Sequence, residues 1–125
     1  MHSPIRILLV EDNEVFRESL AFLLGAYEDV DVVGAVALGG EAARTAVELQ
    51  TDVVVVDYRL PDIDGADVAR EIAAVRPEAA IVFLSASVGL DTTEAARIAQ
   101  VPLVGKDAGV DALLDVVRTV AGRAA

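Results

Sequence analysis

The chain has no cysteine, a single histidine, and only ten basic residues against twenty-one acidic ones. Without cysteine there is no disulfide, no thiolate metal site and no thiol nucleophile, a composition compatible with a reducing cytoplasm. The shortage of base leaves a formal charge of −11. That charge opposes approach to a polyanion and supplies no basic stripe to track phosphates, so direct nucleic-acid binding is not expected. No apolar run approaches the roughly 20 residues of a membrane helix. The opening MHSPIRILLV also lacks the basic region followed by a long apolar stretch that marks an export signal. The expectation is a soluble, unexported, cytoplasmic chain with no membrane partner. His2, in a terminus expected to fray, is assigned no phosphorelay or metal role.

The 125 residues suit one ordinary domain, long enough to bury roughly two thirds of the surface of its unfolded form. Most of the excess acid serves solubility, and only acidic residues gathered at strand ends merit a chemical reading.

IRILLV over residues 5–10 and VVVV over 53–56 are short, unbroken apolar runs, and the second is too β-branched for a comfortable helix. Further strands are predicted at 31–36, 80–84 and 101–104. Between them lies helical spacing: Phe16, Leu20, Leu23 and Leu24 after a cap at Asp12 or Asn13, with Gly25 near the stop. Residues 40–49, 66–75, 92–99 and 110–120 supply the other helices. Asp91, Thr92, Thr93 and Glu94 read as a capping box, and Asp107 as the cap of the last helix. About five strand–helix units result. Such alternation implies a parallel sheet with helices on both faces. In open sheets of this kind chemistry collects beyond the carboxyl ends of the strands, where strand order reverses.

Four strand ends carry reactive residue types: Glu11 and Asp12 after the first strand, Asp57 after the third, Ser85 after the fourth and Lys106 past the fifth. If the first and third strands are neighbours, as in the order 2-1-3-4-5, three carboxylates converge and repel one another. A raised pKa or a hard cation resolves such repulsion, and open oxygen clusters suit Mg²⁺. Asp57 follows four valines, a placement that forfeits burial for no local gain unless it binds something. Glu11 and Asp12, taken alone, are better explained as caps of the first helix. Asp62 and Asp64 read as turn former and helix cap despite their D-x-D spacing.

VEDN, VVVVDYRLPDIDG, FLSAS and GKDA, in that order, together resemble the receiver domain of bacterial response regulators, over essentially the whole chain. The resemblance implies a flavodoxin-like, CheY-like α/β fold: a doubly wound five-stranded parallel sheet with five helices, forming one receiver domain over residues 1–125 with no output domain in the chain. It implies that Asp57 accepts a phosphoryl group from a histidine kinase, with Ser85 and Lys106 serving the reaction. Asp12, Asp57 and the carbonyl of Arg59 would ligate Mg²⁺, with Glu11 contributing through water. Backbone N–H groups of Tyr58, Arg59 and Ala86 would hold the phosphoryl oxygens, Ala86 being small to admit the group, while Pro61 and Gly65 shape the loop. Arg59 and Ser87 would tune dephosphorylation by gating water.

Lys-Asp-Ala after the fifth strand is similar to the NarL/FixJ branch, whose members usually continue into a LuxR-type helix-turn-helix domain. A homodimer on phosphorylation is one partner expectation, and receivers that dimerise commonly use the face of the fourth or fifth helix, but the sequence gives no basis to choose between them and leaves the oligomeric state open. One departure stands out: the switch pair would be Ser85 and Leu103, where the family usually has an aromatic at the second position. Coupling from site to surface is then expected to be weaker or to take another route. A phosphorylation-independent interaction module is the alternative that this departure supports. An aspartyl-nucleophile phosphatase needs a second acid two residues past Asp57, where Arg59 stands, so an enzyme is not expected.

Overall fold

The computed structural model describes residues 3–86 and 89–123. His2 and Ser87 fall outside them. In chain order the elements are β1 (Ile5–Val10), α1 (Glu14–Leu24), β2 (Val30–Val36), α2 (Ala42–Glu48), β3 (Val53–Asp57), α3 (Gly65–Val75), β4 (Ala80–Ser85), α4 (Leu90–Ala99), β5 (Leu103–Gly105) and α5 (Val110–Val120). The strands form one parallel sheet in the order β2-β1-β3-β4-β5. Among the described residues no helix is long and apolar enough to cross a membrane.

Alternate residues of each strand point to opposite faces, so an unbroken apolar strand feeds two cores. Ile5, Ile7, Leu9, Val53, Val55, Val82 and Leu84 pack with Leu20 and Leu24 of α1 and Leu113, Leu114 and Val117 of α5. Leu8, Val10, Val54, Val56 and Phe83 face α2, α3 and α4 through Ala42, Ala46, Val68, Ile72 and Ala96. Fully burying each larger apolar side chain contributes about 1.5–3 kcal/mol, which makes these two layers the rigid base on which the strand ends stand.

Local signals account for the starts of α1 and α3. Asn13 caps α1 by accepting from the Phe16 N–H, and Asp64 caps α3 by accepting from the Asp67 N–H. Two cap expectations are corrected. Helix α4 begins at Leu90, ahead of the expected box; Thr92 Oγ1 instead accepts from the Gly89 N–H at 3.0 Å. Asp107 lies in a 3-10 turn over Lys106–Ala108, and the residue preceding α5 is Gly109 at φ +91, a backbone conformation that favours glycine. The stretch read as a helix from residue 40 opens as a 3-10 turn over Gly39–Glu41, and the last strand starts at Leu103 rather than residue 101.

Candidate functional site

Because β1, β3, β4 and β5 run parallel and side by side, their carboxyl ends open on one rim. Asp57 is the last residue of β3, in register with Leu84, and Ser85, the next residue of β4, is in register with Gly105. Glu11 follows β1 directly and is held down by its N–H bond to the Val36 carbonyl at 3.0 Å. Lys106 follows β5. The fold thus delivers Glu11, Asp57, Ser85 and Lys106 to one place from four different strands, and Asp12 joins them from the start of the β1–α1 loop.

Glu11, Asp12 and Asp57 each offer a carboxylate oxygen within 4.8 Å of the others. Glu11 and Asp57 are nearly closed off, at 2% and 6% exposure, while Asp12 faces solvent. Lys106 Nζ lies 3.1 Å from Asp57 Oδ2 and in contact with Glu11 Oε1. Its ammonium also sits over the Phe16 ring, 4.6 Å from the centroid, which fixes its direction by cation–π attraction. One ammonium against three carboxylates leaves the cluster short of positive charge. Burial, then the hydrogen bond shared with Asp57, push the Glu11 carboxyl up to about 7 from its ordinary 4.5, with Lys106 pulling the other way. Burial alone would lower the Lys106 pKa, but its bonds to Glu11 and Asp57 outweigh it and the net shift is upward. An all-oxygen cluster with one open, solvent-facing member and a deficit of positive charge fits a hard divalent cation such as Mg²⁺.

The loop after Asp57 is pinned at several points. Arg59 forms an isolated antiparallel bridge with Asp64, and the Gly65 N–H donates to the Tyr58 carbonyl at 2.8 Å. A Cβ on Gly65 would stand 2.9 Å from Tyr58 Cα, so the close approach requires glycine. Asp62, expected as a turn former, reaches further: its carboxylate accepts from the Gly39 and Gly40 N–H groups at 3.0 and 2.8 Å. Those bonds, that of Gly40 first, hold its pKa below the usual carboxylate range.

Two of the three expected backbone donors can be compared directly. The Arg59 N–H points at the acceptor carboxylate, 3.1 Å from Asp57 Oδ1. The Tyr58 N–H is spent on the Leu84 carbonyl at 2.9 Å, which corrects the expectation for Tyr58: the sheet ladder extends one residue beyond β3 and claims that donor. The Tyr58 ring packs edge-on against Phe83 at 5.4 Å. Ala86 follows β4 and is exposed, and Leu103 is half-buried in register with Phe83 on the α4 side of the sheet.

Three contributors escaped the sequence reading. Phe16 was legible only as a core position of α1, yet it also lies under Lys106. Arg17 Nη1 donates to the Glu11 carbonyl at 2.8 Å. Asp91 pairs with the Arg59 guanidinium at 2.5 Å across the rim. No motif signals these contacts, with Asp91 read only as part of a capping box, since each depends on which elements the crossovers bring together.

A doubly wound parallel sheet with a carboxylate–lysine cluster beyond its strand ends defines a flavodoxin-like α/β domain whose cluster sits at the switch point, where such folds bind their ligands. Residues 7–118 match the response regulator receiver domain, and the chain belongs to that family. It is similar to the transcriptional regulatory protein LiaR of Bacillus subtilis, 34% identical over 70% of this chain and 41% of LiaR. It also resembles a protein-glutamate methylesterase/protein-glutamine glutaminase of Hahella chejuensis, 35% identical over 78% of this chain but 26% of the relative. The chain therefore spans less than half the length of these curated relatives. Among solved structures, a LuxR-family two-component response regulator from Aurantimonas sp. superposes with a TM-score of 0.86 at 30% identity, covering 98% of this chain and 89% of that one. The receiver domain of the response regulator NarL from Mycobacterium tuberculosis gives 0.80 at 29% identity, over 94% of this chain and 98% of that one.

Proposed function

We propose that Asp57 is the phosphoacceptor of this receiver domain and that a histidine kinase is the physiological donor. The observation that carries the reading is Lys106 Nζ, held by Phe16 between Asp57 Oδ2 and Glu11 Oε1. A carboxylate oxygen of Asp57 forms the new bond to phosphorus as the bond to the donor's histidine nitrogen breaks, leaving an acyl phosphate and a neutral imidazole once that nitrogen gains a proton from water. Lys106 offsets the charge arriving on the transferred oxygens, and the Arg59 N–H, already directed at Asp57, donates to one of them. Ser85 donates its hydroxyl to the phosphoryl group, and the small Ala86 leaves room for it.

Glu11, Asp12, Asp57 and the carbonyl of Arg59 would hold Mg²⁺, which when bound supplies Lewis-acid charge compensation to the transferring group. In this reading the chain is not itself an enzyme acting on external substrates, although it can label itself from small donors and hydrolyse its own acyl phosphate. Residues 1–125 act as one receiver unit in the cytoplasm. The output is regulation of transcription through another domain or partner, with homodimer formation on phosphorylation as one route. Nucleic acid is not contacted by this acidic domain.

The test is incubation with acetyl phosphate and Mg²⁺, followed by intact mass. The wild type should gain one phosphoryl group, a gain abolished when Mg²⁺ is chelated before donor is added, and Asp57→Ala should gain none. Undiminished labelling of Asp57→Ala would overturn the assignment. Leu103 in the usual aromatic position favours a second reading, a phosphorylation-independent interaction module. That reading predicts no change of surface when the site is occupied.

A further inference from the structure

The Arg59–Asp91 ion pair joins the loop beside the acceptor to the first turn of α4. Its two ends differ in freedom. The Arg59 backbone is fixed by the bridge to Asp64 and by its N–H bond to Asp57, and its loop by the Asp62 carboxylate on Gly39 and Gly40. Only the side chain of Arg59 is left to move. Asp91 stands on the weakly seated helix: among the described side chains of α4 only Thr92 and Ala96 are buried, against Gly65, Val68, Ala69 and Ile72 in α3. The N-cap of α4, Gly89, provides no side chain to anchor it.

The pair is solvent-exposed, 65% for Arg59 and 71% for Asp91, so it is cheap to break. A phosphoryl group on Asp57 would appear beside the point where the Arg59 side chain begins. With a greater negative charge and three acceptor oxygens against two, it competes well for a guanidinium, which prefers bidentate oxyanion partners.

We propose that Arg59 is a latch: in the unmodified protein it holds the start of α4 through Asp91, and on phosphorylation its guanidinium transfers to the phosphoryl oxygens and releases that helix end. The latch rests on the reading of Asp57 as acceptor. It supplies a route from site to surface that needs no aromatic ring at Leu103, and it is biased by differential contacts in two states, as such coupling must be. Arg59 and Asp91 are then positioning residues for α4, and they compete in opposite senses.

Titration of the full chain with beryllofluoride and Mg²⁺, followed by amide NMR and by fluorine NMR for occupancy, tests this. Removing the competitor with Asp91→Asn should tighten beryllofluoride binding by about two- to fivefold, the range of an exposed ion pair. The amides of residues 91–95 in the free variant should lie displaced toward their wild-type bound positions. Arg59→Gln should displace the same amides but weaken binding. A merely structural ion pair would make the two variants behave alike. Equal affinities in both variants, or α4 amides unmoved by Asp91→Asn, would overturn the latch while leaving the acceptor intact. Absence of any fluoride complex with the wild type would instead overturn the acceptor reading, and the latch with it.

Discussion

Lys106 Nζ lies 3.1 Å from Asp57 Oδ2 while touching Glu11 Oε1, so a single ammonium bridges two carboxylates brought together from the ends of β1 and β3. Removing it leaves two nearly buried acids facing each other. Lys106→Gln should destabilise the metal-free protein by on the order of 2 kcal/mol at pH 8, below the full penalty for a broken buried pair because Lys106 is 18% exposed. The loss should shrink at pH 5.5, where Glu11 takes up a proton. Urea midpoints at the two pH values check this.

Glu11 sets a pH dependence of defined sign. Its folded pKa of about 7 exceeds its ordinary 4.5, so the folded chain retains a proton that the unfolded chain releases. This group therefore favours the metal-free fold most below 4.5, loses that contribution as pH rises through 7, and changes little above. A bound divalent cation competes with the proton. Thermal melts with and without Mg²⁺ should show a larger Tm increase at pH 8 than at pH 5.5, and Glu11→Gln should flatten the metal-free profile.

Gly65→Ala places a methyl 2.9 Å from Tyr58 Cα. Backbone rather than a flexible side-chain end would have to shift, so a loss of about 1–3 kcal/mol is expected. The shift would also move the Arg59 N–H, and acetyl phosphate labelling should slow by more than the stability loss alone explains. Denaturation and labelling rates on the same variant separate the two effects.

Asp62→Ala deletes the acceptor of the Gly39 and Gly40 N–H groups. It should cost about 1 kcal/mol, since the bonds are charge-assisted but open to water. Asp62→Asn, which keeps one acceptor oxygen, should recover part of the loss. Hydrogen exchange at Gly39 and Gly40 reads the effect directly.

The fold was legible because its signals are local. Four consecutive valines at 53–56, alternation with helical spacing, and caps at Asn13 and Asp64 specify strands and helices without distant information. The charged cluster was legible where strand ends carry it, at Glu11, Asp12, Asp57 and Lys106. Boundaries failed where backbone geometry overrode side-chain patterns: α4 starts at Leu90 on a glycine cap, and Asp107 falls in a 3-10 turn before Gly109. The Tyr58 donor was misread because the ladder runs one residue past β3. Phe16 beneath Lys106 and Asp91 against Arg59 were invisible for another reason: ninety and thirty-two residues separate the partners, and only tertiary packing joins them.

The central claim is that one carboxylate, Asp57, receives the phosphoryl group. Borohydride reduces an acyl phosphate of aspartate to homoserine, and peptide mass spectrometry locates the change. After treatment with acetyl phosphate and Mg²⁺, homoserine should replace aspartate at position 57 and at no other acid. Homoserine at Asp12, Asp62 or Asp64 with Asp57 unmodified would contradict the account.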